Sequence, residues 1–317
     1  MSEPKPHIGV LLGGNSGERE VSLNSGRALV NAYKRLGYQV TAIDTADGPN
    51  LPATLLRTQI EVAVLALHGP GGEDGTLQGL LETMRIPYTG SGVTASAVCM
   101  DKVVTKRLLR DGDLPTPPWS EVTVEKGHIT HRQPLPEGLQ PPYFIKPLNA
   151  GSSVGVSKAQ DSDNIDELLI QSAAEAAPDG EAVRILIEQE VQGTEVTLTI
   201  LDKKSLPLIE IRPKKGFYSY GNKYTSGKTQ YLIPPEKLGK ETLDHATTVG
   251  LAAGQLLGCR GLYRVDMIID EAGTPWILEA NTLPGLTETS LAPKSAAADG
   301  ITFEDLAERI VAGAGLA

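Results

Sequence analysis

Near the end of the chain, two carboxylates, an amide and a guanidinium fall at spacings that a β-hairpin would bring together. Tyr263-Arg264-Val265-Asp266 leads into Asp270-Glu271-Ala272-Gly273, and Ile277-Leu278-Glu279-Ala280-Asn281 follows. The flanks are apolar and β-rich and the turn ends in glycine, the pattern of two strands and a tight turn. Side chains alternate faces along a strand, so Arg264 shares a face with Asp266, and Glu279 shares one with Asn281. Closure at the turn brings Asp266 opposite Glu279 to within a residue of register. Such an all-oxygen set beside a cation suits Mg²⁺ held against phosphates. A solvated outer face of an edge hairpin fits the same residues.

Phosphate chemistry needs further groups, and the upstream segments carry candidates. Gly151-Ser152-Ser153-Val154-Gly155 lies between two expected strands, and its small residues let backbone N–H groups approach phosphate oxygens. No Gly-Lys-Ser/Thr follows, so it is not a Walker A loop; a simple turn is the alternative. Lys146 ends the preceding strand and Lys102 opens an earlier helix, two cations suited to a triphosphate. Gly13-Gly14-Asn15-Ser16-Gly17-Glu18 follows a first strand but lacks dinucleotide glycine spacing, and Asp44 adds little to that reading. It presents Glu18 near a helix N-terminus, either for a ligand ammonium or to complement the helix dipole.

Three more segments complete the set. His68-Gly69-Pro70-Gly71-Gly72-Glu73-Asp74-Gly75 is a glycine-rich loop at a strand end, where ligands bind, with His68 either a general base or an orienting group. Lys223-Tyr224 lies in residues 213–231, rich in Gly, Tyr, Lys and Ser without periodicity. That is the pattern of a lid closing over phosphates, or of a surface loop. Asn281-Thr282-Leu283-Pro284-Gly285 puts flexible backbone after the second hairpin strand, so the Gly285 N–H and Arg264 could face an oxyanion.

The elements that would position these groups begin with a βαβ alternation. Strands are expected at His7–Leu12, Tyr38–Ile43 and Val62–Leu67, with helices at Val21–Gly37 and Gly75–Met84, which implies a parallel sheet with its loops at the strand carboxyl ends. A second unit starts near Asp101, with a helix Lys102–Arg110, strands Tyr143–Pro147, Val156–Lys158 and Arg184–Glu188, and a helix Ser162–Ala177. A third carries a strand Glu195–Leu201, a helix Glu241–Leu257, the hairpin, and a closing helix Ser295–Ala314. The fold class is α/β, α+β over the whole chain.

Composition bounds the partners. The net charge of −10 argues against a nucleic-acid backbone as the main partner. No apolar run is long enough to span a membrane, so a soluble cytoplasmic protein is expected. Cys99 and Cys259 form no spaced pair and read as small buried hydrophobes in a reducing compartment.

In chain order, these motifs resemble those of the D-alanine–D-alanine ligases of the ATP-grasp superfamily. The resemblance rests on Gly13-Gly14-x-Ser16-x-Glu18-Arg19-Glu20-Val21-Ser22, His68-Gly69-x-x-Gly72-Glu73-Asp74-Gly75, Tyr88-Thr89-Gly90-Ser91-Gly92 and Met100-Asp101-Lys102. It continues through Lys146-Pro147, Gly151–Gly155, Lys223-Tyr224, Arg264-x-Asp266, Glu279-Ala280-Asn281-Thr282-x-Pro284-Gly285 and Ser290-Leu291. It implies a Rossmann-like substrate-binding domain at 1–101, a central ATP-grasp domain at 102–187 and a C-terminal ATP-grasp domain at 188–317 with metal site and lid, the last two sandwiching ATP. The implied reaction is ATP-dependent joining of two D-alanines through a D-alanyl phosphate, for peptidoglycan precursors.

The resemblance also implies roles. Asp266, Glu279 and Asn281 would bind Mg²⁺ or Mn²⁺, two ions in all. Lys102, Lys146, Lys223 and Ser153 would meet the phosphates, Glu188, Gln189 and Val191 the adenine, and Glu195 the ribose. Arg264 and Gly285 would hold the oxyanion, and Glu18, Ser152 and Tyr224 would form an orienting hydrogen-bonded set. His68, Ser290 and Leu291 would contact substrate, and a homodimer is implied.

Three positions depart from the family pattern: Gln189 replaces a usual Lys, the lid lacks a common acidic residue, and Thr289 replaces a frequent His. The rivals are a D-alanine–D-lactate or D-alanine–D-serine ligase and an inactive nucleotide-binding scaffold. Tyr224, where lactate ligases of the vancomycin-resistance type usually carry His, favours an amine as attacking group. The intact Arg264, Asp266, Glu279 and Asn281 argue against the scaffold.

Overall fold

Strand β1 (Ile8–Leu12) is buried along its whole length, as expected for the centre of a parallel sheet covered on both faces. The computed structural model describes residues 4–136, 138–148, 155–161, 164–214, 229–287 and 289–317. Helix α1 (Arg19–Arg35) crosses to β2 (Val40–Asp44), and α2 (Leu51–Thr58) precedes β3 (Val62–Leu65). The sheet order is β2-β1-β3, all parallel. Helices α3 (Thr76–Thr83), α4 (Val93–Met100) and α5 (Lys102–Asp111) follow. Asp101 caps α5 by accepting from the N–H groups of Val103 and Val104, so Lys102 starts the helix at a fixed place.

The middle of the chain forms an antiparallel sheet of β4 (Trp119–Glu125), β5 (His128–Arg132), β6 (Tyr143–Pro147), β7 (Ser157–Ala159) and, after helix α6 (Ile165–Ala176), β8 (Val183–Gln189). Its order is β5-β4-β8-β6-β7. The β4–β5 hairpin was not expected. Its signal is the Lys126-Gly127 turn, both residues at positive φ, but β5 is almost wholly exposed and shows no alternation to read. β8 runs two residues past the expected boundary at 187, so the central sheet includes Glu188 and Gln189.

The last sheet contains β9 (Thr194–Leu201), β10 (Lys204–Ser205), β11 (Ile209–Pro213), β12 (Thr229–Leu232), then, after α7 (Lys240–Leu256), β13 (Leu262–Ile269) and β14 (Pro275–Asn281). Its order is β12-β11-β9-β13-β14, with β10 on β9. β12 falls inside the stretch read as a lid; it pairs with β11, so residues 214–228 join two neighbouring strands. Ala246, Val249 and Ala253 of α7 pack on Val196, Leu198, Val265 and Met267.

The closing helix is two helices, α8 (Leu291–Ala298) and α9 (Phe303–Ala312). Gly300 at positive φ ends the first, and Thr302 caps the second through the Asp305 N–H. Leu306, Ile310 and Val311 of α9 join Ile8, Val10 and Leu29 in one core, so the end of the chain covers the first sheet. Each such side chain contributes about 1.5–3 kcal/mol by its burial. The two cysteines, read separately from sequence, are neighbours with sulfurs 3.7 Å apart. No described helix is long and apolar enough to cross a membrane.

Candidate active site

The hairpin register decides which side chains meet. From the turn, Ile269 pairs with Pro275 and Met267 with Ile277, which in a regular ladder would set Leu278 opposite Asp266. A bulge between Asp266 and Met267 inserts one residue and sets Glu279 there instead. Arg264 then pairs with Asn281. The four polar side chains share one face, and β13 lies inside the sheet between β9 and β14. Asp266 is only 7% exposed, so this is not a solvated outer face.

Each acid on the face has a cation. The Arg264 guanidinium donates from Nε to Asp266 Oδ1 at 2.8 Å and from Nη2 to Oδ2 at 2.7 Å. Thr197 on β9 donates to Oδ1 at 2.5 Å. The Lys102 ammonium lies 2.9 Å from Glu279 Oε2, and this attraction outweighs burial to hold its pKa above the ordinary value. Asn281 Oδ1 accepts from the Leu283 N–H, which orients the amide. Among the described residues no three His, Cys, Asp or Glu side chains cluster as a metal site; the face offers two carboxylates and an amide.

This face opens on a cavity of about 710 Å³. Nine expected site residues line it: Glu18, His68, Lys102, Arg264, Glu279, Asn281, Gly285, Ser290 and Leu291. Glu18 sits just before α1, against Gly69; a Cβ on Gly69, at φ +71, would lie 2.9 Å from Glu18 Oε2, so only glycine fits there. The Ser16 hydroxyl donates to the His68 carbonyl and draws the two loops together. His68 is buried and its Nε2 lies 3.4 Å from Ser25 Oγ, which accepts from the Leu286 N–H. Burial pushes the His68 pKa down while the Glu18 charge pulls it up, and the net shift is downward, leaving a neutral imidazole at pH 7. Ser290 precedes α8, and its Oγ lies 2.8 Å from Thr287 Oγ1.

Some residues lie elsewhere. Asp266 is behind the cavity surface, reached through Arg264. Lys146 and Glu188 pair on the central sheet, outside the lining. Gln189, Val191 and Glu195 follow Glu188 and also lie off it. Ser152, Ser153, Lys223 and Tyr224 fall outside the described residues. Asp44 is engaged by Arg19 at 2.6 Å and does not line the cavity.

Two participants were missed. Ser25 is fully buried on α1, where nothing in its sequence neighbourhood separates it from a helix-surface serine. Glu73 belongs to the glycine-rich loop that carries His68, where the sequence alone gives it no role. It lines the cavity and accepts from the Gly69 N–H at 2.6 Å. Burial, with the Glu18 and Glu279 charges, raises its pKa to about 8 in spite of that hydrogen bond, so it carries a proton at neutral pH.

Residues 46–91 match the family described as D-ala D-ala ligase N-terminus, and residues 108–312 match D-ala D-ala ligase C-terminus. The chain is 51% identical to the D-alanine–D-alanine ligase of Magnetococcus marinus, with all of both chains covered. It is 44% identical to that of Gloeobacter violaceus, over 96% of this chain and 98% of the relative. Among solved structures, the D-alanine–D-alanine ligase of Bacillus anthracis complexed with ATP is similar with a TM-score of 0.81, at 32% identity over 97% of each chain.

Proposed function

The chain belongs to the D-alanine–D-alanine ligase family, and from that premise we infer that it is an ATP-dependent ligase joining two D-alanines into D-alanyl-D-alanine. The observation that carries the reading is the hairpin face, where Glu279 and Asn281 stand with Arg264 and Lys102 at one wall of the cavity and Asp266 lies just behind, held by Arg264.

The donor set fits a hard divalent ion, because two carboxylates and an amide oxygen share one face of the hairpin. Asp266, Glu279 and Asn281 would hold Mg²⁺ or Mn²⁺, with two ions in the expected set. Bound there, the metal supplies charge neutralisation on the ATP phosphates. Lys102 and Lys146, with Lys223 and Ser153, would meet phosphate oxygens and stabilise the transferring group electrostatically. Among the described residues, Gln189 Oε1 and the neighbouring Glu190 Oε2 are buried without a hydrogen-bond donor, which suits a donor-bearing base beside Glu188, Gln189 and Val191. Glu195 would meet the ribose.

On the substrate side, Glu18 would bind the first D-alanine's ammonium, within the set it forms with Ser152 and Tyr224, and the neutral His68 orients that pocket. The first carboxylate takes the γ-phosphoryl group and ADP leaves. The amine of the second D-alanine then attacks the acyl phosphate, and phosphate departs. Arg264 and the Gly285 N–H would hold the oxyanion of the tetrahedral intermediate. Ser290 and Leu291 open helix α8 at the cavity, where a helix N-terminus favours the second substrate's carboxylate. A cytoplasmic homodimer serving peptidoglycan synthesis belongs to the same proposal; sedimentation tests the dimer.

The deciding assay is phosphate release from ATP and Mg²⁺ with D-alanine. Release that needs D-alanine, with the dipeptide detected by mass, is the expected result. Absence of D-alanine-dependent release overturns the ligase reading. Parallel reactions with D-lactate or D-serine beside D-alanine should yield mainly the dipeptide of D-alanine; a depsipeptide as main product overturns the choice of second substrate.

A further inference from the structure

Lys106 has no part in the chemistry above, yet its side chain is wholly enclosed. It follows Lys102 by four residues on α5, so the two side chains leave the same helix face. Its side chain is 0% exposed, and its ammonium lies 2.6 Å from Glu188 Oε2. Its hydrogen bonds go to Thr116 Oγ1 at 2.7 Å and to the Pro117 carbonyl at 3.1 Å. The other oxygen of Glu188 meets the Lys146 ammonium. One buried carboxylate is therefore shared by two lysines, of which Lys146 is the more exposed, at 18%.

We propose that Lys106 is a positioning residue for nucleotide binding: it keeps Glu188 paired, so that Lys146 can turn to the ATP phosphates without leaving a buried anion alone. The inference rests on the proposed meeting of Lys146 with ATP. A carboxylate removed from water is strongly disfavoured unless a cation stays with it. With a single lysine, moving Lys146 to phosphate would strand Glu188, and part of the ATP binding energy would be lost to that. With Lys106 in place, Glu188 keeps a partner throughout. The contacts to Thr116 and Pro117 hold the ammonium where it is when Lys146 leaves. Burial pushes the Lys106 pKa down to about 8 against the pull of Glu188, so the group remains charged at pH 7. The alternative is a purely structural Lys106 that pins the segment after α5. That role predicts lower stability with unchanged nucleotide affinity.

A double-mutant cycle separates the two. ATP dissociation constants are measured by calorimetry with Mg²⁺ for the wild type, Lys106→Met, Glu188→Gln and the double variant, with D-alanine KM measured alongside. Lys106→Met should weaken ATP about tenfold or more, whereas in the Glu188→Gln background it should add less than about twofold, because no anion is left to strand. D-alanine KM should move less than about twofold. An equal loss in both backgrounds, or unchanged ATP affinity in folded Lys106→Met, overturns the proposal. If Lys106→Met does not fold, Lys106→Gln, which keeps a hydrogen-bond donor without the charge, replaces it in the same cycle: a loss of ATP affinity confined to the Glu188 background supports the proposal, and unchanged affinity or an equal loss in both backgrounds sinks it. A wild type that fails to bind ATP overturns the nucleotide reading itself, a result distinct from any of these.

Discussion

The hairpin face and the Glu188 cluster are built from the same parts, acids held by lysine or arginine, but they close differently. On the hairpin, Lys102 is 21% exposed beside Glu279 at 29%, both facing a cavity. At Glu188, Lys106 is 0% exposed and the carboxylate 2%. The first arrangement has charges that balance and can exchange partners with an incoming ligand. The second holds two cations on one anion, an excess that suits an arriving polyphosphate. Ion pairing alone therefore does not mark catalysis; what separates the pairs is whether the cation reaches solvent, as Lys102 and Lys146 do and Lys106 does not.

The largest test of that contrast is Asp266→Ala. It removes an expected metal ligand and leaves Arg264 without its bidentate partner. Loss of several kcal/mol of transition-state stabilisation corresponds to about 10³-fold or more in turnover. Circular dichroism should show the fold retained. Phosphate release above a tenth of wild type would remove Asp266 from the chemistry. Lys102→Met comes next, with kcat expected to fall about 10²-fold, the scale of losing one preorganised charge at a reacting group. A variant that changed only ATP affinity, as expected for Lys106→Met, would place the two lysines in one class and erase the distinction.

A smaller effect concerns pH and the protonated Glu73. Its carboxyl ionises near 4.5 when free and at about 8 in the fold. Between those values the folded state holds a proton that the unfolded state has released, so this group's contribution to stability declines as pH rises through the window and levels above 8. His68, with its lowered pKa, acts in the opposite sense up to its free value near 6.5. Comparison with Glu73→Gln cancels the histidine. Thermal melts from pH 5 to 8.5 should show the wild type losing Tm relative to Glu73→Gln; parallel curves would mean that Glu73 is ionised in the fold.

Much of the site was legible because its chemistry lies in residue types at fixed spacing. Strand alternation and a glycine turn placed Asp266 against Glu279 to within one residue, and the bulge at Leu278 is that residue. The parallel sheet followed from buried strands separated by helices. What escaped depends on distant contacts. The exposed strand His128–Arg132 has no apolar period, Ser25 gains its meaning only from Leu286 far along the chain, and Cys99 meets Cys259 only through packing of α4 against the last sheet. Lys106 reads as a surface position of an amphipathic helix until the central sheet is laid over it.

The smallest predicted effect lies at the cavity's outer loop, where an ion pair is neither closed nor catalytic. Arg19 and Asp44 are 39% and 40% exposed, and the carboxylate also accepts from the N–H groups of Gly14 and Ala46. Arg19, chiefly by hydrogen bonding, holds the Asp44 pKa down to about 2. Because the folded value is depressed, the stabilisation is complete above the ordinary value of 3.8 and is lost as pH falls toward 2. Solvent screening limits it to about 0.5 kcal/mol, a Tm change of about 1–2 °C for Asp44→Asn at pH 7. The difference should shrink below pH 4 and under high salt, with D-alanine KM unchanged. A loss several times larger, or a raised KM, would mean that Asp44 holds the Glu18 loop in its working place, and the boundary between replaceable and structural pairs would have to be redrawn to include it.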